Sequence, residues 1–335
     1  MRVLVTGGCG YIGSVLVRRL VANEAVTDVV VLDALTAGSP RTLLGTVDDS
    51  LDFYRGDVRE YGDVETAMRG VDRVIHLAAI TGADSTHDRR AETFEVNSDG
   101  TANVVTAAGK VGVDSIVFAS SCNNYGRATS MNIDETTSPD PINPYAESKV
   151  KAERMVRDAA AEHDFSATSL RMSTNYGYAP GVRFNLVVNH FVFRGLTGRP
   201  LTVYGDGENW RPFIHVQDAA RAYEHAALHP ERWPRDVYNV GDTDQNFRIA
   251  DVARIVAQEL ERDIEITYSG NEHPGPSYHV EFNRLEETGF ELERTLREGV
   301  RELATQFTAR LEETAQSNRQ SMNGSSLLTH PSDVQ

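Results

Sequence analysis

Val3-Leu4-Val5-Thr6-Gly7-Gly8-Cys9-Gly10-Tyr11-Ile12-Gly13 is a short apolar run that breaks into glycines and resumes with helical spacing. A chain that leaves a buried strand, turns sharply, brings its backbone up to a bound group and enters a tightly packed helix has a use for a residue without a Cβ at each step. Gly7, Gly10 and Gly13 stand at the spacing those steps require. The helix that follows, over about Tyr11 to Leu20, presents free N–H groups at its positive end, where phosphate oxygens are favoured. Val29-Val30-Val31-Leu32-Asp33 reads as a second buried parallel strand, ending in an acid about twenty residues beyond the loop. A carboxylate there accepts from both ribose hydroxyls of NAD and repels the extra phosphate of NADP, so the two signals together read as an NAD site.

Up to about Leu170, short apolar runs alternate with amphipathic segments, the pattern of a parallel sheet covered on both faces. The strand candidates are Val3 to Thr6, Val29 to Asp33, Asp52 to Arg55, Val74 to Leu77, Ser115 to Ala119 and Ala167 to Arg171. Helical spacing marks Val64 to Arg69, Ala91 to Lys110 and Tyr145 to His163. The fold class expected is α/β, a Rossmann-type doubly wound parallel sheet. At the strand ends, Asp57 and Val58 follow the third strand and could face an adenine, while His76-Leu77-Ala78-Ala79 closes the fourth with small residues that admit a dinucleotide closely. Asn97, inside a helical segment, is placed to brace the sheet.

Tyr145 and Lys149 are four apart at the start of a helical segment that Pro144 suits, so both lie on one face of one turn. An ammonium close to a phenol favours the phenolate and makes a tyrosine usable as a base near neutrality. Ser121 follows the run Ile116-Val117-Phe118-Ala119 on the same sheet edge as the glycine loop, where its hydroxyl can bond the substrate oxygen that the tyrosine deprotonates.

With TGGCGYIG, Asp33 followed by Ala34-Leu35-Thr36-Ala37-Gly38, HLAA, FASSCNNYG and YAESK in order, the chain resembles the extended short-chain dehydrogenase/reductase family. The likeness is to its NAD-dependent nucleotide-sugar epimerase and dehydratase branch, UDP-glucose 4-epimerase-like, and runs to about Leu303. It implies a catalytic triad of Ser121, Tyr145 and Lys149, with Lys149 also holding the nicotinamide ribose. It implies cofactor contacts from Gly7, Gly10, Tyr11, Ile12, Gly13, Asp33, Asp57, Val58, Leu77, Ala78, Ala79 and Asn97. The division it suggests is an NAD-binding Rossmann domain over 1–175, to which 213–246 returns through Val237 to Val240, and a smaller substrate-binding α/β part over 176–212 and 247–312. Residues 313–335, poor in apolar side chains, are expected to be a disordered tail. Ile249, Val252, Ile255, Val256 and Leu260 form a helical stripe read as core.

For substrate, the resemblance points to Asn175 near the phosphates, to the backbone of Asn185 and Leu186 on the diphosphate, and to Leu201 to Tyr204 as a hairpin enclosing the base. It points to Arg211 on the diphosphate, where a guanidinium fork suits phosphate oxygens; Thr81, Cys122, Asn123 and Tyr278 complete the set. Related sequences often carry a second arginine just before a Ser-Tyr pair, where this chain has Pro276 ahead of Ser277, so Arg183 or Arg248 is a candidate replacement. Dehydratases of the branch place Asp-Glu after the catalytic Ser or Thr, and decarboxylases a Glu. Here Cys122 and Asn123 stand instead; Asn accepts no proton and a thiol without an adjacent cation is a poor base. Epimerisation at the oxidised carbon, the fourth of the sugar, is the reaction expected. A plain dehydrogenase, ketoreductase or dehydratase, epimerisation next to the ketone with Cys122 or His87 as base, and a non-catalytic NAD sensor are the alternatives. Helices near Ala91 to Lys110 and Tyr145 to His163 form the dimer bundle of similar proteins, so a homodimer is expected.

The formal charge of −16 disfavours nucleic acid and anionic membranes as partners, and we read no metal-ligand cluster. Met1-Arg2 leads directly into a strand without a cleavage-site pattern, and only Cys9 and Cys122 are present, so a reducing cytoplasm is expected. Lysine is confined to Lys110, Lys149 and Lys151, and an acidic, lysine-poor composition reads as a halophilic surface, tolerable where salt screens self-repulsion. Resistance to urea is accordingly expected to rise with KCl concentration; greatest stability in dilute buffer would contradict this.

Overall fold

The structure is a computed structural model that describes residues 1–46, 48–82, 84–127, 132–270 and 277–325, with side chains described up to residue 310 except at residue 84. Seven strands pair into one sheet: β1 (Arg2–Thr6), β2 (Asp28–Asp33), β3 (Leu51–Arg55), β4 (Arg73–His76), β5 (Ser115–Ser121), β6 (Ser166–Met172) and β7 (Val237–Val240). Their order is β7-β6-β5-β4-β1-β2-β3, and every pairing is parallel. The chain starts mid-sheet at β1, steps outward to β3, then crosses back to β4. That reversal leaves a crevice beyond the carboxyl ends of β1 and β4, where ligands of such sheets bind.

The central strands β1, β2, β4 and β5 are largely apolar on both faces because both are covered, whereas the edge strand β3 is exposed over its second half. Val3, Val5, Val29 and Val31 share a core with Leu16 and Leu20 of the helix Tyr11–Val21 and with Ala219 and Tyr223 of the helix Val216–Leu228. Leu4, Val30 and Leu32 point the other way, towards Val64, Val104, Ala108, Ala152 and Val156 of the helices Tyr61–Ala67, Gly100–Val111 and Pro144–His163. A third core joins the helices Val187–Leu196, Ile249–Glu259 and Leu296–Ser325 to the strands Leu201–Tyr204 and Trp210–His215; the stripe Val252, Ile255, Val256 and Leu260 lies in it. Among the described residues no helix is long and apolar enough to cross a membrane.

Four expectations need correction. The segment Ala91 to Lys110 is not one helix: Arg90–Phe94 passes through a π-helical turn, Glu95–Asp99, into Gly100–Val111. Leu201–Tyr204 is no hairpin arm, since it pairs in parallel with Ile266–Ser269, while Gly205 and Gly207 at φ +68° and +73° turn the chain away towards Trp210–His215. Asn175, read as the end of the sixth strand in the run Arg171 to Asn175, lies beyond β6 in Thr174–Tyr176, which pairs with Phe213 to His215 in a second sheet. Residues 313–325 continue the helix Leu296–Ser325, in keeping with their Glu, Ala, Gln and Arg content; the rest of the expected tail, and Pro276, lie outside the described residues.

Behind the end of β5 sits a buried ion pair. Arg171 of β6 donates from Nε and Nη2 to the Glu153 carboxylate at 2.9 and 2.8 Å, and Ser120 and Asn124 donate to the same group at 2.5 and 3.0 Å. Glu153 lies on the helix Pro144–His163, so this network ties that helix to β5 and β6. Removing one partner strands the other charge in the interior. Arg171→Met is expected to lower the unfolding free energy by about 3–5 kcal/mol in urea titrations; a change within experimental error would contradict the role given to the pair.

Candidate active site

The glycine loop spans the crevice because two of its residues cannot carry a Cβ. Gly7 has φ +74°, and a Cβ there would stand 2.8 Å from the Ala78 nitrogen; one on Gly13 would stand 2.3 Å from the Gly7 oxygen. Gly10 differs, since a Cβ there would meet only the Gly7 oxygen, at 3.2 Å, and otherwise project into open space before the helix. The first turn of that helix holds no acidic residue, and its opening N–H groups, from Tyr11 and Ile12 onward, face the same space. Asp33 takes the Cys9 N–H on Oδ2 at 2.9 Å and the Leu35 N–H on Oδ1 at 2.8 Å, which fixes its carboxylate beside the loop with further acceptor capacity. An anion seat with an oriented acceptor beside it fits the diphosphate and ribose of NAD.

The loop after β4 is built from a polar chain that sequence reading largely missed. Buried His76, pushed down to about 3 by desolvation and the nearby Lys149 charge, is neutral. Thr101 donates its hydroxyl to the Asn97 carbonyl, so His76 donates from Nε2 to Thr101 and accepts from Thr6 on Nδ1, at 2.9 and 2.7 Å. Thr6 in turn accepts the Ala78 N–H. Asn97, in the π turn, grips the Ile80 N–H and carbonyl at 2.7 and 2.9 Å and donates to Ser148 at 2.9 Å. It thereby braces the Leu77, Ala78 and Ala79 stretch against the helix that carries Tyr145. Asp57 spends its carboxylate on Arg59, and Val58 packs against Gly100, so their side chains serve the loop after β3. Tyr11 sends its ring across the interface, where its hydroxyl donates to the Gly177 carbonyl at 2.7 Å.

Ser121, Tyr145 and Lys149 come together at the carboxyl edge of the sheet. Asn143 caps the helix, accepting the Ala146 N–H at 2.9 Å, and Pro144 opens it, which sets Tyr145 in the first turn. The hydroxyls of Ser121 and Tyr145 are hydrogen-bonded. Burial raises the Tyr145 pKa, and the Ser121 bond and the Arg183 charge work against it. The Lys149 ammonium therefore does not do what its spacing suggested in this state: it lies 5.9 Å from the Tyr145 ring centre and 4.8 Å above Phe118. Burial pushes Lys149 down to about 7, with Glu153 pulling the other way.

The second half supplies a wall to the same crevice. Tyr278, buried, donates to the Asn123 Oδ1 at 3.1 Å, and the Arg211 guanidinium stands 5.1 Å from the Tyr278 ring centre. Arg183 donates to the Thr81 hydroxyl at 2.8 Å and to the Asn185 Oδ1 at 3.2 Å, and Leu186 caps the next helix. Asn175 donates to the Ser173 carbonyl and keeps a buried Oδ1 without a partner among the described residues. Tyr204 is exposed. Arg248 is engaged by Glu208 at 2.6 Å and His87 is exposed. Cys122 bonds the Arg171 carbonyl, and burial pushes its thiol up to about 12.

A match to the NAD dependent epimerase/dehydratase family spans residues 3–241. The chain belongs to that family. It is 28% identical over 304 residues to a putative UDP-glucose 4-epimerase of Methanocaldococcus jannaschii, covering 89% of this chain and 96% of that one. A UDP-N-acetylglucosamine 4-epimerase of Methanobrevibacter ruminantium superposes with a TM-score of 0.84 at 26% identity, over 92% of this chain and 98% of that one. The dTDP-glucose 4,6-dehydratase DesIV of Streptomyces venezuelae, solved with NAD bound, gives 0.82 at 28% identity, over 92% and 97%. In this NAD-dependent family member the glycine-loop crevice and the cluster of Ser121, Tyr145 and Lys149 share one edge of one sheet.

Lys149 gives a pH test with a definite sign. Its ammonium discharges near 7 when folded and near its ordinary 10.5 when unfolded, so between those values the unfolded chain holds the extra proton. The stability it contributes is present above the unfolded value and lost as the pH falls towards 7. In NAD-free protein, wild type is expected to gain stability relative to Lys149→Met as the pH is raised above 7; a difference independent of pH would contradict this.

Proposed function

We propose that this family member is an NAD-dependent nucleotide-sugar epimerase that oxidises the hydroxyl on the fourth carbon of the sugar and re-reduces the ketone from the opposite face. The observation that carries the reading is what stands beside the triad. Cys122 is a buried thiol bonded to the Arg171 carbonyl, with its pKa pushed up to about 12, and Asn123 accepts from Tyr278. Neither group moves a proton at a neighbouring carbon near neutral pH, as dehydration or decarboxylation requires. Exposed His87 gives no reason to prefer epimerisation beside the ketone.

In this reading Gly7, Gly10, Gly13, Asp33 and the loops carrying Asp57, Val58, Leu77, Ala78 and Ala79 hold the dinucleotide. Bound NAD supplies the hydride acceptor and later the donor. Tyr145 takes the proton from the sugar hydroxyl, Ser121 bonds the same oxygen throughout, and Tyr145 returns the proton after the sugar has turned over. Lys149 meets the nicotinamide ribose and then gains hydrogen-bond partners that favour its charged form. Arg211, Asn175, Asn185 and Leu186 hold the diphosphate, Tyr204 stands beside the base, and Thr81, Cys122, Asn123 and Tyr278 complete the substrate site. The division at about residue 175, and a homodimer through the helices Gly100–Val111 and Pro144–His163, belong to the same proposal.

The purified protein is expected to interconvert an epimeric pair among UDP-, GDP-, CDP- and dTDP-sugars without NADH accumulating. Accumulating NADH would make it a dehydrogenase, and a keto-deoxy product a dehydratase. Tyr145→Phe is expected to lower kcat by about 10²–10⁴-fold while NAD stays bound; unchanged turnover would refute the assignment.

A further inference from the structure

Between the strand Thr174–Tyr176 and the helix Val187–Leu196, residues 177–186 run without helix or strand and touch both sides of the crevice. The Gly177 carbonyl accepts from the Tyr11 hydroxyl at 2.7 Å. The Gly181 N–H reaches Ser14 Oγ at 3.4 Å, and a Cβ on Gly181 would stand 3.1 Å from the Gly10 oxygen, so this strap lies backbone against backbone on the turn that opens the anion seat. Farther along, Arg183 bonds Thr81 in the loop after β4. Asn189 ties the two ends together, accepting the Gly177 N–H and donating to the Arg183 carbonyl, both at 3.0 Å. Tyr178 and Pro180 border an open cleft of about 520 Å³ shared with Val15, Arg18, Arg19 and Gln217, which leaves the strap room to move.

The helix Leu296–Ser325 holds the strap from the other half of the chain. Leu296, Val300, Leu303 and Phe307 recur on one face of it and are buried in the third core. Gly299 brings the helix close, since a Cβ there would stand 2.4 Å from the Tyr176 ring, at the entrance to the strap, and 2.8 Å from the His215 ring. Phe307 then meets the Phe184 ring at 5.3 Å between centroids, and Arg310 donates to the Tyr178 hydroxyl at 2.9 Å. Phe184 is 45% exposed, so its ring depends on Phe307 and on Phe193, 5.1 Å away, for its packing. We propose that Phe307 and Arg310 are positioning residues that latch the strap against the NAD seat and thereby set how long the dinucleotide stays bound. Release requires the strap to part from Gly10 and Thr81, and the latch opposes that movement. Losing a latch contact therefore shortens residence.

The consequence for turnover rests on the proposed epimerase cycle, in which one NAD serves many turnovers; the latch itself is tested without it. Full-length protein loaded with radiolabelled NAD is mixed with excess unlabelled NAD, and retained label is followed by rapid filtration. Phe307→Ala and Arg310→Ala are each expected to speed dissociation by about 3- to 10-fold, and the double variant by about 10- to 100-fold. Phe307→Leu and Arg310→Lys are expected to recover part of the residence time. Val300→Ala removes buried contacts of the same helix two turns from Phe307, and is expected to lower the unfolding temperature while leaving dissociation within about twofold of wild type. Unchanged dissociation in the alanine variants would overturn the proposal, as would equal acceleration by Val300→Ala. If Phe307→Ala does not fold, Arg310→Ala decides, since that side chain is exposed. If wild type epimerises no sugar nucleotide, the epimerase reading fails while the exchange rates still decide the latch.

Discussion

The contact on which this structure depends is backbone against backbone, Gly7 on Ala78, where the turn after β1 meets the turn after β4. No side chain fits between them, since a Cβ on Gly7 would stand 2.8 Å from the Ala78 nitrogen. This closeness lets Thr6, His76 and Thr101 link the two turns through buried hydrogen bonds, and lets Asn97 carry the link to the helix of Tyr145. The anion seat and the reactive tyrosine are therefore parts of one rigid edge. Gly10 plays the opposite role, giving up a side chain to keep space open for a ligand.

Around that edge, charge is handled in two ways. Glu153 and Arg171 are buried as a pair, saturated by Ser120, Asn124 and Tyr125, and serve to lock β5, β6 and the catalytic helix together. Lys149 is buried and Arg183 half-buried, and among the described residues no carboxylate is hydrogen-bonded to either, which carries an energetic cost. Both face the crevice, so that cost is recovered only when ligand groups meet them. Tyr145 belongs with them: burial makes its phenol harder to ionise, and Ser121 and Arg183 work against that shift.

The parallel sheet was readable because strands covered on both faces must be continuously apolar, and Val29 to Leu32 or Ile116 to Ala119 have no other plausible burial. That Ser121, Tyr145 and Lys149 would come together was readable because Tyr145 and Lys149 lie one helical turn apart and Ser121 ends a strand on the same sheet edge. Less readable were features that depend on pairs distant in sequence. The π turn holds Asn97 against Ile80, seventeen residues away in the chain. The parallel pairing of Leu201–Tyr204 with Ile266–Ser269 has no local signature, and a Gly-Asp-Gly turn suggested a hairpin.

Taken alone, the sequence determined the fold class and the NAD preference, and it singled out the hydroxyl, phenol and ammonium of the proposed site, since each follows from local spacing and from chemistry that few residue types can perform. Tertiary structure decided how those groups are tuned. It placed Lys149 over Phe118 at a distance from the Tyr145 ring, turned Cys122 into an inert thiol, and set Arg183 against Thr81 from the opposite half of the chain. The physical reason is that desolvation and long-range pairing, which set charge and reactivity, depend on which surfaces meet, and a linear pattern does not record that.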